Sequence, residues 1–348
     1  MSKQTVSMEM NGTTFSLETG QMAKQANGSC VVRMGDTMSL MTVTADKRPS
    51  DRDFLPLFVE YRNKTYAAGK IPGGFFKREA RPTERETLTC RLIDRPLRPL
   101  FPKGYRHETQ VVAFIISADT DFHADTLSIT GASMALNLSD VPFTEVVSGV
   151  RVADIEGEFV VNPSFEQLEE STLDLIVAGT DDIVCMIEGE CLEVPEDRMM
   201  DAIEFAHTWI RKLNALQKEL LELAGSKPKW DKPVVEDNSE LEAKVSELVG
   251  AELKAAIVVK GKFERSEALS ALKTKVAETF TTEDGEADPK AKQAFGAVEK
   301  KLMREMILTE RVRTDGRDLT TVRPITIENG VLPRAHGSCL FTRGETQS

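Results

Sequence analysis

"GSCVVRMGDTMS" (28–39) recurs near the other end of the chain as "GSCLFTRGETQS" (337–348). Both copies open on Gly-Ser-Cys, and a Gly-acid-Thr triplet follows in register, 309 residues apart. A match of this quality over such a distance reads as a duplicated unit, against the plainer alternative of two unrelated glycine turns. Each copy sets a glycine and an acid between β-prone residues, the punctuation of strand, turn and strand. The second copy reaches Ser348 in mid-strand. The expected organisation is therefore one whole copy, an insert, and the first elements of a second copy cut short.

Working outward from the first copy, the neighbouring segments share its strand-like texture. "VSMEMNGTTFSLE" alternates apolar and polar residues around Asn11-Gly12, a strong hairpin signal. Residues 30–45 predict a buried strand pair turning near Gly35-Asp36. Thr83 and Glu86 stand at capping-box spacing, so a helix is expected from there, with Pro96 kinking or interrupting it. A strand is expected over 109–119, a small-residue helix over 125–139 and a hairpin over 148–163. "LDLIVAGT" and "IVCMIEGE" read as two more strands, and a long amphipathic helix as running from about Glu196 to Leu223. The texture changes at "AGSKPKWDKPVVEDNSE" (224–240), where Gly, Pro and mixed charge mark a linker. Two helical blocks follow up to about Leu308, separated by the acidic "TTEDGEADP" (281–289), before strand-like residues return over 313–330.

The chain has 348 residues, more than one typical core holds. It carries no run of 18 apolar residues and no leader-like pattern at its start, so neither a membrane span nor a targeting segment is expected. Its five cysteines (Cys30, Cys90, Cys185, Cys191, Cys339) are odd in number and show no C-x-x-C spacing. Reduced thiols in the cytoplasm are the expectation. Cys185 and Cys191 read as strand residues rather than zinc ligands, since no matching pair stands near them.

A formal net charge of −12 would argue against a polyanion partner if it were spread evenly. It is not. Between Arg62 and Arg106 twelve basic side chains stand against four acidic ones, which leaves the remainder of the chain at −20. A basic stripe on an acidic body is the footprint of a local polyanion site. Its centre is "GGFFKREARPTER" (73–85). Exposed aromatic rings stack on any base and cations follow phosphates, a sequence-tolerant grip on single strands. Phe75, Phe76, Lys77 and Arg78 are the candidates, the alternative being that the two rings are core residues under a loop. Arg91 and Arg95 share one helix face and are candidates for the same polyanion. They could instead pair with Glu84, Glu86 or Asp94 on a solvated helix.

The stretch "FFKREARPTERETLTCRLIDRPLRPLFPKGY" resembles the bacterial polynucleotide phosphorylases, as do "SITGASMAL", "LDLIVAGT", "RTDGR" and "LPRAHGSCLFTRGETQ". The resemblance covers essentially the whole chain. It implies an α+β fold: an RNase PH-like core of mixed sheets with packed helices, an all-α domain and a truncated second RNase PH-like core. The boundaries expected on that basis are 1–223 for the first core, 224–240 for the linker, 241–312 for the helical domain and 313–348 for the second core. The resemblance further implies a homotrimeric ring around an RNA channel and degradation of single-stranded RNA from its 3′ end. Inorganic phosphate would be the co-substrate, Mg²⁺ the metal, and degradosome components possible partners. It places Phe75, Phe76, Lys77 and Arg78 at the channel-entrance loop, usually Phe-Phe-Arg-Arg. Lys77 keeps the charge there and loses the planar fork. Arg91 and Arg95 match arginines lining the channel.

The same resemblance implies that this copy is catalytically silent. A Gly/Ser-rich phosphate loop is expected before the "SITGA" helix, but Phe122, His123, Ala124 and Asp125 stand there. The working core's two aspartates and lysine project onto Leu168, Asp174 and Ile176, so one acid survives. The chemistry, the metal acids and C-terminal KH and OB-type RNA-binding modules are expected beyond Ser348, and no catalytic or metal-binding residue is assigned in this chain. His123 is read as a surface histidine. Two classes of function remain: part of a phosphorolytic exoribonuclease, or a non-catalytic RNA-binding and oligomerisation fragment.

Overall fold

The computed structural model describes residues 2–52, 54–75, 77–79, 81–234, 237–282 and 286–348. The chain divides into two compact units, Met1–Val235 and Glu236–Ser348.

The first unit begins with four antiparallel strands: β1 (Gln4–Met10), β2 (Thr13–Thr19), β3 (Gly28–Met34) and β4 (Thr37–Pro49). Asn11 and Gly12 both take positive φ (49° and 71°), as the predicted two-residue turn requires. After β5 (Leu57–Asn63) a short 3₁₀ turn at Thr65–Ala68 leads into the basic loop and then α1 (Glu84–Leu97). The expected capping box at Thr83 and Glu86 is present. Pro96 lies in the last turn of α1 without breaking it, and a 3₁₀ turn at Arg98–Leu100 follows. Strand β6 (His107–Ser117) completes a six-stranded sheet in the order β1-β2-β3-β4-β6-β5, in which only β5 and β6 run parallel.

Helix α2 (Ala124–Leu138) is buried at every position. It can be, because it is built from small residues. At Gly131 a Cβ would stand 2.4 Å from the Val32 side chain, and at Gly28 only 2.0 Å from the Ala135 carbonyl oxygen. Its hydroxyls are satisfied internally: Ser128 donates to the Ala124 carbonyl at 2.7 Å, and Ser133 accepts the Val147 N–H at 2.9 Å. The second sheet is antiparallel, in the order β10-β9-β7-β8, from β7 (Ser148–Ile155), β8 (Glu158–Val161), β9 (Leu173–Gly179) and β10 (Val184–Cys191). The one-turn helix α3 (Phe165–Glu169) lies between β8 and β9, and α4 (Glu196–Ala224) closes the unit as the long helix predicted.

After α4 the chain is irregular but docked. Lys229 donates to the carbonyls of Leu136, Asn137 and Ser139 at 2.8–3.0 Å, capping the C-terminus of α2. Burial pushes its ammonium down to about 8.

The second unit holds α5 (Ser239–Ile257), α6 (Lys262–Thr279) and α7 (Pro289–Glu310) around a core that includes Val245, Leu253, Val276 and Phe295. Three helices stand where two blocks were expected. The apolar run "AAIVV" conceals the break, and Gly261 at φ 96° supplies it. Strands β11 (Ile325–Asn329), β12 (Cys339–Arg343) and β13 (Thr346–Gln347) form a small antiparallel sheet.

The structure extends the repeat. Phe15 pairs with Met34 and Glu18 with Val31 in the first copy; Ile325 pairs with Arg343 and Glu328 with Leu340 in the second. "TTFSLETG" (13–20) and "RPITIENG" (323–330) therefore occupy the same place in the same register, although they share little beyond Glu18/Glu328 and Gly20/Gly330. Strands β11-β12-β13 reproduce β2-β3-β4.

Candidate nucleic-acid interface

The basic loop leaves the sheet at the end of β5 and returns at α1, and a carboxylate holds each end. Glu86, near the start of α1, accepts the Asn63 N–H at 3.0 Å. Glu79 accepts the Thr65 N–H at 2.6 Å and pairs with Lys64 at 2.8 Å. The hydrogen bonds from Lys64 and Thr65 keep the Glu79 carboxyl at about 2, well below the usual range. Between these anchors Gly74 takes φ 77° and Lys77 φ 50°.

Phe75 is 93% exposed, which settles one alternative: it is not a core residue. Lys77 and Arg78 are exposed with it. Phe76, the fourth candidate in the loop, lies outside the described residues. The helix arginines diverge in their surroundings. Arg91 is exposed and forms no ion pair among the described residues. Arg95 reaches across to β10, where it pairs with Glu188 and donates to the Ile187 carbonyl at 3.3 Å. Arg98 closes on Asp94 at 2.7 Å and holds the carbonyls of Leu55 and Leu57. Phe75, Lys77, Arg78 and Arg91 are thus exposed, and Arg95 pairs with a carboxylate.

The segment before α2 is closed. Arg151, on β7, is nearly buried and sits between two carboxylates: Asp125 at 2.8 Å and Asp174 at 2.5 Å. Burial works to raise Asp125, but the Arg151 guanidinium, with His123, the Thr126 N–H and Arg85 adding to it, outweighs burial and holds the carboxyl below its usual value. At Asp174 burial prevails over the same guanidinium, and the carboxyl is raised. His123 is not the surface residue expected from sequence. Its ring packs on Phe165 with centroids 4.0 Å apart, its Nδ1 meets an Arg85 nitrogen at 2.9 Å, and its Nε2 is buried with no partner among the described residues. Burial pushes it down to about 4, so it is neutral near pH 7, and its Nδ1 accepts from Arg85.

The remaining positions suit no catalytic assembly. Ile176 is buried in the core and Leu168 lies on α3, half-buried. A divalent cation does not fit at Asp174, whose oxygens already face a guanidinium, and no cluster of three or more metal-ligating side chains occurs among the described residues. Arg151 is the residue that sequence reading missed. Its partners lie 26 and 23 positions away, and no local pattern announces them.

Comparison with known proteins agrees with this architecture. A model of the 3′ exoribonuclease family, domain 1, matches residues 13–142, and the model of domain 2 of that family matches 145–208. A third model, the RNA binding domain of polyribonucleotide nucleotidyltransferase, matches 240–318. Curated relatives named polyribonucleotide nucleotidyltransferase include one from Geotalea uraniireducens, 48% identical over 345 residues, and one from Chlorobaculum tepidum, 50% identical over 359. The alignments cover 99% and 97% of this chain and 49% of each relative. The chain spans about half the length of the curated relatives it matches. No helix among the described residues is long and apolar enough to cross a membrane. With both successive domains matched in order and the repeated strands in register, the chain belongs to the 3′ exoribonuclease family, in the branch of the polyribonucleotide nucleotidyltransferases.

Proposed function

We propose that this chain is the RNA-gripping and architectural portion of a phosphate-dependent 3′-to-5′ exoribonuclease, and that its first core performs no phosphorolysis itself. In the complete enzyme, an oxygen of inorganic phosphate attacks the terminal phosphodiester phosphorus. The 3′-oxygen of the preceding nucleotide leaves, and a nucleoside diphosphate is released. Phe75 and Phe76 stack on bases at the entrance, Lys77 and Arg78 follow the phosphates, and Arg91 and Arg95 continue the track. RNA at Arg95 must displace Glu188. The observation that carries the grip is Phe75, a large ring almost wholly in water beside exposed cations in a chain of net charge −12.

The silent core is supported by Arg151, which neutralises the surviving Asp174 and leaves neither attacking phosphate nor Mg²⁺ a place there. In this reading residues 1–223 are the first core, 224–240 the linker, 241–312 an RNA-contacting helical domain and 313–348 the opening of a second core. Mg²⁺ and the catalytic groups belong to that second core. Three chains surround an RNA channel in the cytoplasm and turn over mRNA, with degradosome components as further partners.

The test is phosphate-dependent ADP release from poly(A) by this 348-residue chain with Mg²⁺, with RNA retention followed on the same sample. Retention without ADP is expected, and the double variant Phe75→Ala, Phe76→Ala should bind oligo(A) at least tenfold more weakly, from stacking worth about 1–3 kcal/mol per base. Robust ADP release would overturn the silent-core reading. Unchanged affinity in the double variant would remove the stacking loop.

A further inference from the structure

We propose that Glu188 is an exchange partner for the RNA strand: it takes Arg95 when no phosphate is there and yields it when one arrives, so that Arg95 passes the strand along and does not hold it. The proposal rests on the RNA-binding reading above and adds the residue that sets how fast the strand lets go.

Arg95 lies in the last turn of α1, and its guanidinium reaches β10, an end strand of the second sheet. There it pairs with Glu188 and donates to the Ile187 carbonyl at 3.3 Å. Two features suit this pair to exchange. The Arg95 and Glu188 side chains keep 40% and 46% of their surface exposed, and an ion pair in water is weak enough to be traded for another. Nor does α1 depend on the pair for its place. Leu92, Ile93 and Leu97 fix the helix in the core, its capping box fixes its start, and Arg98 ties its end to the Leu55 and Leu57 carbonyls.

To a guanidinium a carboxylate resembles a phosphate, since each offers paired oxygens to the planar fork. Glu188 therefore sits where a phosphate would, and RNA binds at Arg95 more weakly by the fraction of time the pair is closed. Arg91, one turn earlier on α1, forms no ion pair among the described residues. The two arginines thus differ in kind: a phosphate simply adds to Arg91, but at Arg95 it must replace a carboxylate. Glu190 follows two residues after Glu188 on β10, so strand alternation puts a second acid on the same face. An enzyme that shortens RNA from one end must let the strand advance after every cut. A carboxylate ready to recover the arginine speeds each release.

The experiment is the dissociation of fluorescein-labelled oligo(A) from the 348-residue chain, followed by stopped-flow anisotropy on mixing with excess unlabelled oligo(A). Glu188→Gln keeps the size of the side chain and removes its charge. Release should slow by about two- to fivefold, the scale of an exposed ion pair. Arg95→Ala should speed release, and adding Glu188→Gln to it should change nothing further, because the arginine on which the exchange acts is gone. A wild-type rate in Glu188→Gln would overturn the proposal. So would slowing that persists in the Arg95→Ala background, which would reflect only one negative charge fewer near the RNA. A lowered melting temperature in Glu188→Gln with release unchanged would make the pair a structural staple and overturn it too. If Phe75→Ala with Phe76→Ala weakens binding while Glu188→Gln releases RNA at the wild-type rate, the entrance-loop reading stands and this one falls. If the wild-type chain binds no oligo(A), both fall.

Discussion

β3-turn-β4 and β12-turn-β13 are one sequence motif in two environments. In the first, Cys30, Val32 and Met34 are buried, and burial pushes the Cys30 thiol up to about 12. In the second, Cys339, Phe341 and Arg343 are exposed. The backbone is nevertheless the same. Gly35 and Gly344 take φ 58° and 63°, and each copy pairs with its preceding strand in equivalent register. The Gly-acid-Thr turn and alternating residues carry their own conformation, and tertiary neighbours supply the burial. The difference between the copies is therefore one of surroundings and not of backbone shape.

The strongest way to test what the first environment contributes is Arg151→Met. It leaves Asp125 and Asp174 charged and uncompensated, and should destabilise the first unit by about 3–5 kcal/mol at pH 7. The sign with pH follows from the carboxylates. In the wild type, the depressed Asp125 contributes stability above its unfolded value and loses it as pH falls through the folded one. The raised Asp174 costs stability at neutral pH, and that cost fades on acidification. In Arg151→Met both carboxyls rise, so the deficit against wild type should narrow as pH falls from 7 towards 4. A constant deficit in urea titrations over that range would show that lost packing, rather than charge, is responsible.

Gly28→Ala against Gly337→Ala compares the two copies directly. A Cβ at Gly28 meets the Ala135 carbonyl oxygen, backbone that cannot swing aside, so a loss of about 3 kcal/mol is expected. At Gly337 nothing lies within 4 Å, and the cost is that of alanine at φ 74°, about 1 kcal/mol. Equal losses would erase the distinction between the environments. The smallest contrast is Thr37→Val against Thr346→Val. The buried Thr37 hydroxyl donates to the half-buried Asp119 at 2.8 Å, whereas Thr346 is exposed. Calorimetry should show a loss of about 1–2 kcal/mol for the first and under about 0.5 for the second.

Apart from the repeat across 309 residues, what could be read from sequence alone was what is local. The Asn11-Gly12 turn, the Thr83/Glu86 box and the stripe of the 29-residue α4 each declare themselves within a few residues. The basic loop was visible for the same reason, as a charge excess in a short window. The rest depends on distant partners. Nothing near Arg151 announces Asp125 or Asp174, and His123 looked like a surface residue because Phe165 and Arg85, which bury and bond it, lie 42 and 38 positions away. The β2/β11 correspondence was hidden because register, not residue identity, is what the two strands share.

Lys229 has a consequence for the order of events during synthesis. The carbonyls it caps belong to the last residues of α2 and to Ser139 just beyond it, about 90 positions earlier in the chain. Until residue 229 has left the ribosome, the C-terminal end of the central buried helix lacks its Lys229 donor, and water or a transient partner must serve. The cap on α2 is therefore complete only once the "SKPKW" segment has emerged and docked.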